Sequence, residues 1–192
     1  MNILLYDREK ISIHPAMPNI IYLAASIDGY IAREDGNIDW LTEIPNPEKG
    51  DYGFAEFMKR VDGMIMGRLT FETVQQFDIW LYSKPVFVLS RSSKKLSGRY
   101  SDRVELIYGD LSTILESLKK RNIHTIYVDG GKTIQSFLQE DLIDEMIITR
   151  IPILLGKGIP LFIYNPRELK FDHATTETFN NGLVKTRYLR KR

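Results

Sequence analysis

The sequence predicts an α/β fold of three layers, in which a mostly parallel mixed sheet lies between helices and ends in an antiparallel C-terminal hairpin. Three observations predict it. Short runs rich in Ile, Val, Met and Tyr recur along the chain and are apolar on both faces, as strands covered from both sides are. Between several of these runs the apolar residues shift to helical spacing, which makes the connections crossovers and the sheet mainly parallel. Near the end, Asn180-Asn181-Gly182 separates two strand-like stretches, a reverse-turn signal for an antiparallel pair.

Taken in order, residues 1–18 have a mixed character punctuated by Pro15 and Pro18 and read as an N-terminal extension; residues 19–192 read as one domain. Ile20 to Ala25 is the first clean strand pattern. Further strand-like runs lie at Gly63–Met66, Pro85–Leu89, Val104–Tyr108, His124–Val128 and Glu145–Ile151. Phe54, Phe57, Met58 and Val61 recur at helical spacing, as do Ile114, Leu115 and Leu118, and again Ile134, Phe137 and Leu138. Asp110 and Ser112 stand where the N-cap of a helix running to Arg121 is expected. Leu169–Phe179 and Leu183–Arg190 are the two arms of the closing hairpin.

Composition narrows the function classes. The net charge of +1, with acids and bases interspersed, offers no basic face for nucleic acid or an anionic membrane, so neither partner is expected. No apolar run approaches the roughly 20 residues of a membrane helix, and MNILLYDREK meets charge too early for a signal-peptide core. Cysteine is absent, which removes disulfides, thiolate catalysis and thiolate metal ligands and is compatible with the cytoplasmic location we expect. His14, His124 and His173 are scattered, and no metal site is expected.

The chemistry-bearing residues sit where strands run out. Ala24 to Ala32 leaves a buried strand through Asp28-Gly29, and ligands bind outside the carboxyl ends of strands in open α/β sheets. The plain alternative there is a tight Asp-Gly turn. Met66-Gly67-Arg68-Leu69-Thr70 follows a strand and opens a helix, where free N–H groups and a guanidinium suit an anion; the alternative is an arginine paired with a surface acid. Leu89-Ser90-Arg91 offers a hydroxyl and a second guanidinium, or a solvated loop. Asp129-Gly130-Gly131-Lys132-Thr133-Ile134 joins a strand to a helix through two glycines, another candidate anion cradle. It is not a nucleotide-hydrolase loop, because Ile126 stands where that motif needs glycine. Gly156-Lys157-Gly158 lacks the third glycine of the dinucleotide fingerprint, since Leu161 takes its place.

In their order along the chain, A-A-S-I-D-G-Y-I-A, M-G-R-L-T-F-E, P-V-F-V-L-S-R and V-D-G-G-K-T-I resemble the dihydrofolate reductase superfamily. Arg150 to Phe162 (RIPILLGKGIPLF) resembles more specifically the reductase domain of the bifunctional riboflavin-synthesis deaminase-reductases. The resemblance implies a dihydrofolate reductase-like fold, NADPH as cofactor, a small heterocyclic substrate and a homodimer with Pro152–Phe162 near its interface. By position it implies Ala25, Ser26 and Ile27 beside the nicotinamide. Gly67, Arg68 and Thr70 would lie along the diphosphate and adenosine phosphate, and Leu89, Ser90 and Arg91 at the adenosine end. Gly130, Gly131, Lys132, Thr133 and Ile134 would cradle the diphosphate, at a turn where the family often keeps a cis peptide. The threonine-, aspartate- and proline-bearing segment of the pyrimidine reductases is missing; Leu69 to Thr73 stands there.

Three acids compete for the proton-donating or polar contact. Asp51 lies as far before Met66-Gly67-Arg68 as the substrate-binding carboxylate of dihydrofolate reductases, yet an acid there also serves a helix N-terminus. Asp28 and Asp129 are its rivals, and either can serve structure instead. The expected activity is reduction of a pyrimidine- or pteridine-like substrate, resembling 5-amino-6-(5-phosphoribosylamino)uracil reductase. The alternatives are dihydrofolate reduction and a non-catalytic NADPH-binding protein of the same fold.

Overall fold

The computed structural model describes residues 18–47, 49–92 and 94–192, so the expected N-terminal extension falls, but for Pro18, outside the described residues. In chain order the elements are β1 (Asn19–Ser26), β2 (Tyr30–Ala32), α1 (Asp39–Thr42), α2 (Phe54–Arg60), β3 (Gly63–Gly67), α3 (Arg68–Val74), β4 (Val86–Leu89) and β5 (Val104–Ile107). They continue with α4 (Leu111–Lys120), β6 (Ile126–Asp129), α5 (Gly131–Gln139), β7 (Glu145–Ile151), β8 (Ile159–Pro160), β9 (Lys170–Thr178) and β10 (Val184–Lys191). Eight strands form one sheet in the order β5-β4-β3-β6-β1-β7-β10-β9. The first six run parallel; β10 is antiparallel to both β7 and β9, which gives the expected closing hairpin.

Strand periodicity sorts the core into two layers. Ile65, Phe87 and Val128 face one way and pack with Leu111, Ile114 and Leu118 of α4 and Ile134, Phe137 and Leu138 of α5. Met64, Met66, Val86, Val88 and Tyr127 face the other way, against Phe57 and Met58 of α2 and Phe71 and Val74 of α3. The runs read as apolar on both faces are covered on both sides at β1, β3, β4, β6 and β7, whereas the run at Val104–Tyr108 forms β5, a half-exposed edge strand. The N-cap expectation is only half met. Asp110 occupies the position in extended backbone before α4, but its side chain makes no capping hydrogen bond, and Ser112 lies inside the helix.

Several polar groups are buried in this frame, an acid at the head of β7 among them. Glu145 opens β7 with a side chain only 3% exposed, paired with Arg60 at 2.6 Å and Arg187 at 2.7 Å. Burial pushes its carboxyl up, but the hydrogen bonds from Arg187 and Arg60 outweigh burial and hold it below the ordinary glutamate range. Its stabilising effect is thus present above the unfolded-state value and fades as pH falls through the lower folded one. Glu145→Gln is expected to cost about 2–3 kcal/mol at neutral pH, the low side for a broken buried pair because both arginines keep some water. Urea denaturation at neutral pH and near pH 3 checks this: the gap between variant and wild type should narrow in acid.

Candidate active site

Parallel strands end on the same rim of a sheet, and here Gly67 pairs with Leu89 and Asp129 with Met66, while β1 runs on beyond Ile21, the partner of Val128, to end at Ser26 on that rim. At the end of β1, Ala25 and Ser26 are fully buried, while Ile27 is largely exposed. The Ser26 hydroxyl donates to Asp28 at 2.6 Å and accepts from the Tyr30 N–H at 2.9 Å. Asp28 also accepts from the backbone N–H groups of Leu155 (3.2 Å) and Gly156 (2.7 Å). The hydrogen bond from Ser26 leads in holding its carboxyl below the usual range. Asp28 therefore ties the exit of β1 to the loop after β7. Arg150 of β7 braces the same exit by donating to the Ser26 carbonyl at 2.9 Å.

The exits of β3 and β6 meet. A methyl group added at Gly67 would lie 2.9 Å from the Thr133 hydroxyl oxygen, and one added at Gly130 would lie 2.2 Å from that of Thr70. Gly130 adopts φ 87°, ψ 133°, which L side chains rarely adopt, and no cis peptide occurs among the described residues. The expected cis turn is thus replaced by a left-handed glycine that reverses the chain into α5. Gly131 is crowded in turn, 2.8 Å for an added methyl from the Ile31 side chain of β2. The starts of α3 and α5 lie side by side, and the first-turn N–H groups of a helix have no partner within it. Thr133 and Ile134 are buried in the first turn of α5, and Lys132 is exposed beside them.

The exit of β4 joins through Arg68, which donates to the Ser90 hydroxyl at 3.3 Å and the Lys94 carbonyl at 2.6 Å. Leu89 ends its strand opposite Gly67. Arg91 is exposed and forms no salt bridge among the described residues. The glycine turns and Arg68–Ser90 are in contact, whereas the Arg91 and Lys132 side chains stand free on the same rim. This rim can hold an extended, multiply charged anion between two glycine turns.

The three acids are not gathered at one point. Asp51 precedes α2 and accepts from the N–H groups of Gly53 (2.9 Å) and Ala55 (2.7 Å). Those bonds, the one from Ala55 foremost, hold the exposed carboxyl below its ordinary range, so it is ionised at neutral pH. It also lines two neighbouring cavities of about 790 and 520 Å³ that share Tyr22 and Tyr52. The smaller runs along Leu23 and Ala24 of β1 to Phe54 and Thr149, at the edge of the rim. Asp129 lies on the α2/α3 side of the sheet, the face of Tyr127 two residues before it, and accepts from the Gly130 N–H at 2.8 Å. Burial is the main cause that pushes its carboxyl up to about 6, against smaller downward effects of the Gly130 N–H and the Tyr127 hydroxyl.

Some site residues escaped the sequence. Thr149 is a hydroxyl inside the apolar run of β7, and that interruption was its available signal. Trp40 carries a buried indole N–H with no partner among the described residues and packs on Ile151 and Leu183, which line the smaller cavity. Nothing in the local pattern marks Tyr127 or Arg150, whose partners are more than a hundred residues away.

Comparison with known proteins agrees with this geometry. Residues 19–185 match the RibD C-terminal domain family. The uncharacterized protein YwjB of Bacillus subtilis (strain 168) is 36% identical over 174 residues, 89% of this chain and 97% of that protein. A proposed riboflavin biosynthesis protein from Shewanella sp. PV-4 has a crystal structure that superposes with a TM-score of 0.87 at 49% identity, covering 92% of this chain and all of that one. The dihydrofolate reductase of Enterococcus faecalis, solved with NADP(H), shares the fold at a TM-score of 0.65 and 17% identity, over 92% of this chain and 98% of its own. The architecture is that of the dihydrofolate reductase-like proteins, and the chain belongs to the RibD C-terminal domain family.

Proposed function

We propose that this protein is an NADPH-dependent reductase of a pyrimidine- or pteridine-like heterocycle, of the kind that reduces 5-amino-6-(5-phosphoribosylamino)uracil. The observation that carries the reading is the pair of glycine turns at Gly67 and Gly130, packed so closely on Thr133 and Thr70 that a Cβ at either would collide. Such bare backbone, opening the first turn of α5, fits a diphosphate approaching the chain itself. When bound, the dinucleotide supplies a hydride; the protein holds donor and acceptor carbons in near-attack geometry and excludes water.

The roles follow position. Gly67, Thr70, Gly130, Gly131, Thr133 and Ile134 shape the diphosphate cradle, with Lys132 as a mobile positive charge at its edge. Arg68, held by Ser90, faces the ribose phosphate together with Leu89 and Arg91. Ala25, Ser26 and Ile27 border the nicotinamide. The heterocycle occupies the 520 Å³ cavity, where ionised Asp51 accepts ring N–H groups and Thr149 adds a hydroxyl. Asp51 and Asp129 have been pushed in opposite directions by their surroundings, which separates a permanently charged recognition group from a proton source. Asp28, committed to Ser26, Leu155 and Gly156, is left with a structural role.

Loss of NADPH absorbance on adding the ribosylaminopyrimidine tests the reading, with dihydrofolate as the competing substrate. We expect oxidation with the former, weaker or no oxidation with the latter, and poor use of NADH. Arg68→Ala should weaken NADPH binding about 10–100-fold, the worth of a charge-assisted contact to phosphate, while barely changing NADH binding. Tight NADPH binding with no turnover on either heterocycle would favour a non-catalytic binder. No binding at all would end the reductase reading.

A further inference from the structure

Lys185 of β10 is drawn out of water, its side chain only 18% exposed. An ammonium in such a place needs partners, and it has two. It donates to Glu177, its cross-strand neighbour on β9, at 2.7 Å, and to the Tyr52 carbonyl at 2.7 Å. That carbonyl has a second donor, the Tyr22 hydroxyl of β1 at 2.8 Å, so both of its lone pairs are taken. Asn181, in the hairpin turn, donates to the Tyr52 hydroxyl at 2.8 Å and to the Pro45 carbonyl at 3.0 Å. The closing hairpin and β1 thus grip one residue.

What the grip controls is the neighbouring acid. Tyr52 has φ 55°, in the left-handed region that side chains seldom occupy, and Gly53 follows at φ 89°. The Tyr52 carbonyl and the Gly53 N–H belong to a single planar peptide unit. Its carbonyl end takes the two donors, and its N–H end donates to the Asp51 carboxylate at 2.9 Å. Rotating the unit to relieve Tyr52 would turn that N–H away from Asp51, and the donors on the carbonyl oppose the rotation. The Ala55 N–H holds the other Asp51 oxygen at 2.7 Å, so each oxygen keeps a lone pair for a ligand.

We propose that Lys185 is a positioning residue that, through the Tyr52–Gly53 peptide unit, fixes the Asp51 carboxylate where it lines both cavities. The functional half of the proposal rests on reading Asp51 as the group that recognises the heterocycle.

The test uses the full chain. Lys185→Met removes the donor, Lys185→Arg keeps a charged one, and Tyr22→Phe removes the second donor while keeping its ring. Lys59→Met is the control, a lysine on the wall of the larger cavity that pairs with Glu56 at 2.9 Å instead. Amide hydrogen exchange at Gly53 is compared with that at Phe57, one turn into α2. In Lys185→Met, Gly53 should exchange at least about 10-fold faster while Phe57 holds its rate. Lys59→Met should match wild type, and Lys185→Arg should restore most of the protection. The KM for the ribosylaminopyrimidine should rise about 10-fold in Lys185→Met, with kcat and NADPH affinity retained. A purely structural lysine would lower stability and the active fraction, and hence kcat, with KM in place. If Lys185→Met does not fold, faster exchange at Gly53 alone in Tyr22→Phe supports the proposal. Unchanged exchange at Gly53, or equal acceleration at Gly53 and Phe57, overturns it. Asp51→Asn separates the two readings. If Gly53 loosens in Lys185→Met but Asp51→Asn leaves KM unmoved, the positioning role stands and Asp51 is not the recognition group. If Asp51→Asn raises KM and Lys185→Met does not, the positioning role falls.

Discussion

Gly130→Ala is expected to abolish NADPH binding, by at least about 100-fold in Kd, and to destabilise the fold by about 2–4 kcal/mol. Two causes add. The backbone at Gly130 has φ 87°, ψ 133°, unfavourable for any side chain, and the new methyl would stand 2.2 Å from the Thr70 hydroxyl oxygen. Thr70 is in the first turn of α3 and its Cβ would lie only 3.3 Å away, so rotating the hydroxyl aside does not release the contact. The helix itself must move, and with it the Gly67–Arg68 turn that borders the cradle. Gly29→Ala is the control. Its φ of 88° is also positive, but an added methyl meets nothing within 4 Å, so the cost should be about 1–2 kcal/mol with cofactor binding retained. Adding Thr70→Ala to Gly130→Ala should recover part of the stability but not all, because the backbone penalty remains. Thermal unfolding and NADPH fluorescence titration of wild type and these variants read out each part.

Asp129→Asn is expected to lower the maximal rate about 100-fold or more while leaving NADPH affinity intact, the loss typical of a missing general acid. The wild-type rate should fall as pH rises through about 6, where the carboxyl gives up its proton, and the variant should be flat across that range. Stability carries a second signature. The folded carboxyl titrates at about 6, above its ordinary value of 3.8, so its protonated form is the one the fold favours. Its contribution is full below the unfolded-state value and disappears as pH rises through 6. The amide of Asp129→Asn carries no such penalty, and the variant should be more stable than wild type by about 1–3 kcal/mol at pH 8, with the advantage vanishing near pH 4. A loss of activity without that stability gain would mean the side chain is not buried as a carboxyl.

The parts of this fold that were legible in the sequence are those decided locally. Pro85 to Leu89 and His124 to Val128 read as central strands because both faces are apolar, and the strands they contain, β4 and β6, are covered on both faces. Glycine after a strand marked the exits at Gly67 and Gly130 because only a residue without Cβ tolerates the approach that follows. What sequence could not decide was which atoms each acid would meet. Asp28 and Asp51 look as available as Asp129, yet two backbone N–H groups claim each of them across short or long loops. Asp129 meets one, and Tyr82, 47 residues before it, stands beside it. Glu145 is the same lesson in reverse: an acid at the head of an apolar strand is held by arginines 85 residues before it and 42 after it. The short pairing of β2 with β8 was also unreadable. It depends on Gly158 approaching the Ala32 carbonyl, where a methyl would stand 2.3 Å away, and strands of three and two residues leave no periodicity.

A crystal structure of the protein soaked with NADPH puts the geometry at risk most directly. The diphosphate should lie between the Gly67–Arg68 and Gly130–Gly131 turns, hydrogen-bonded to first-turn N–H groups of α5, with the ribose phosphate against Arg68. A dinucleotide seated elsewhere, or a cradle that stays empty at saturating NADPH, contradicts it.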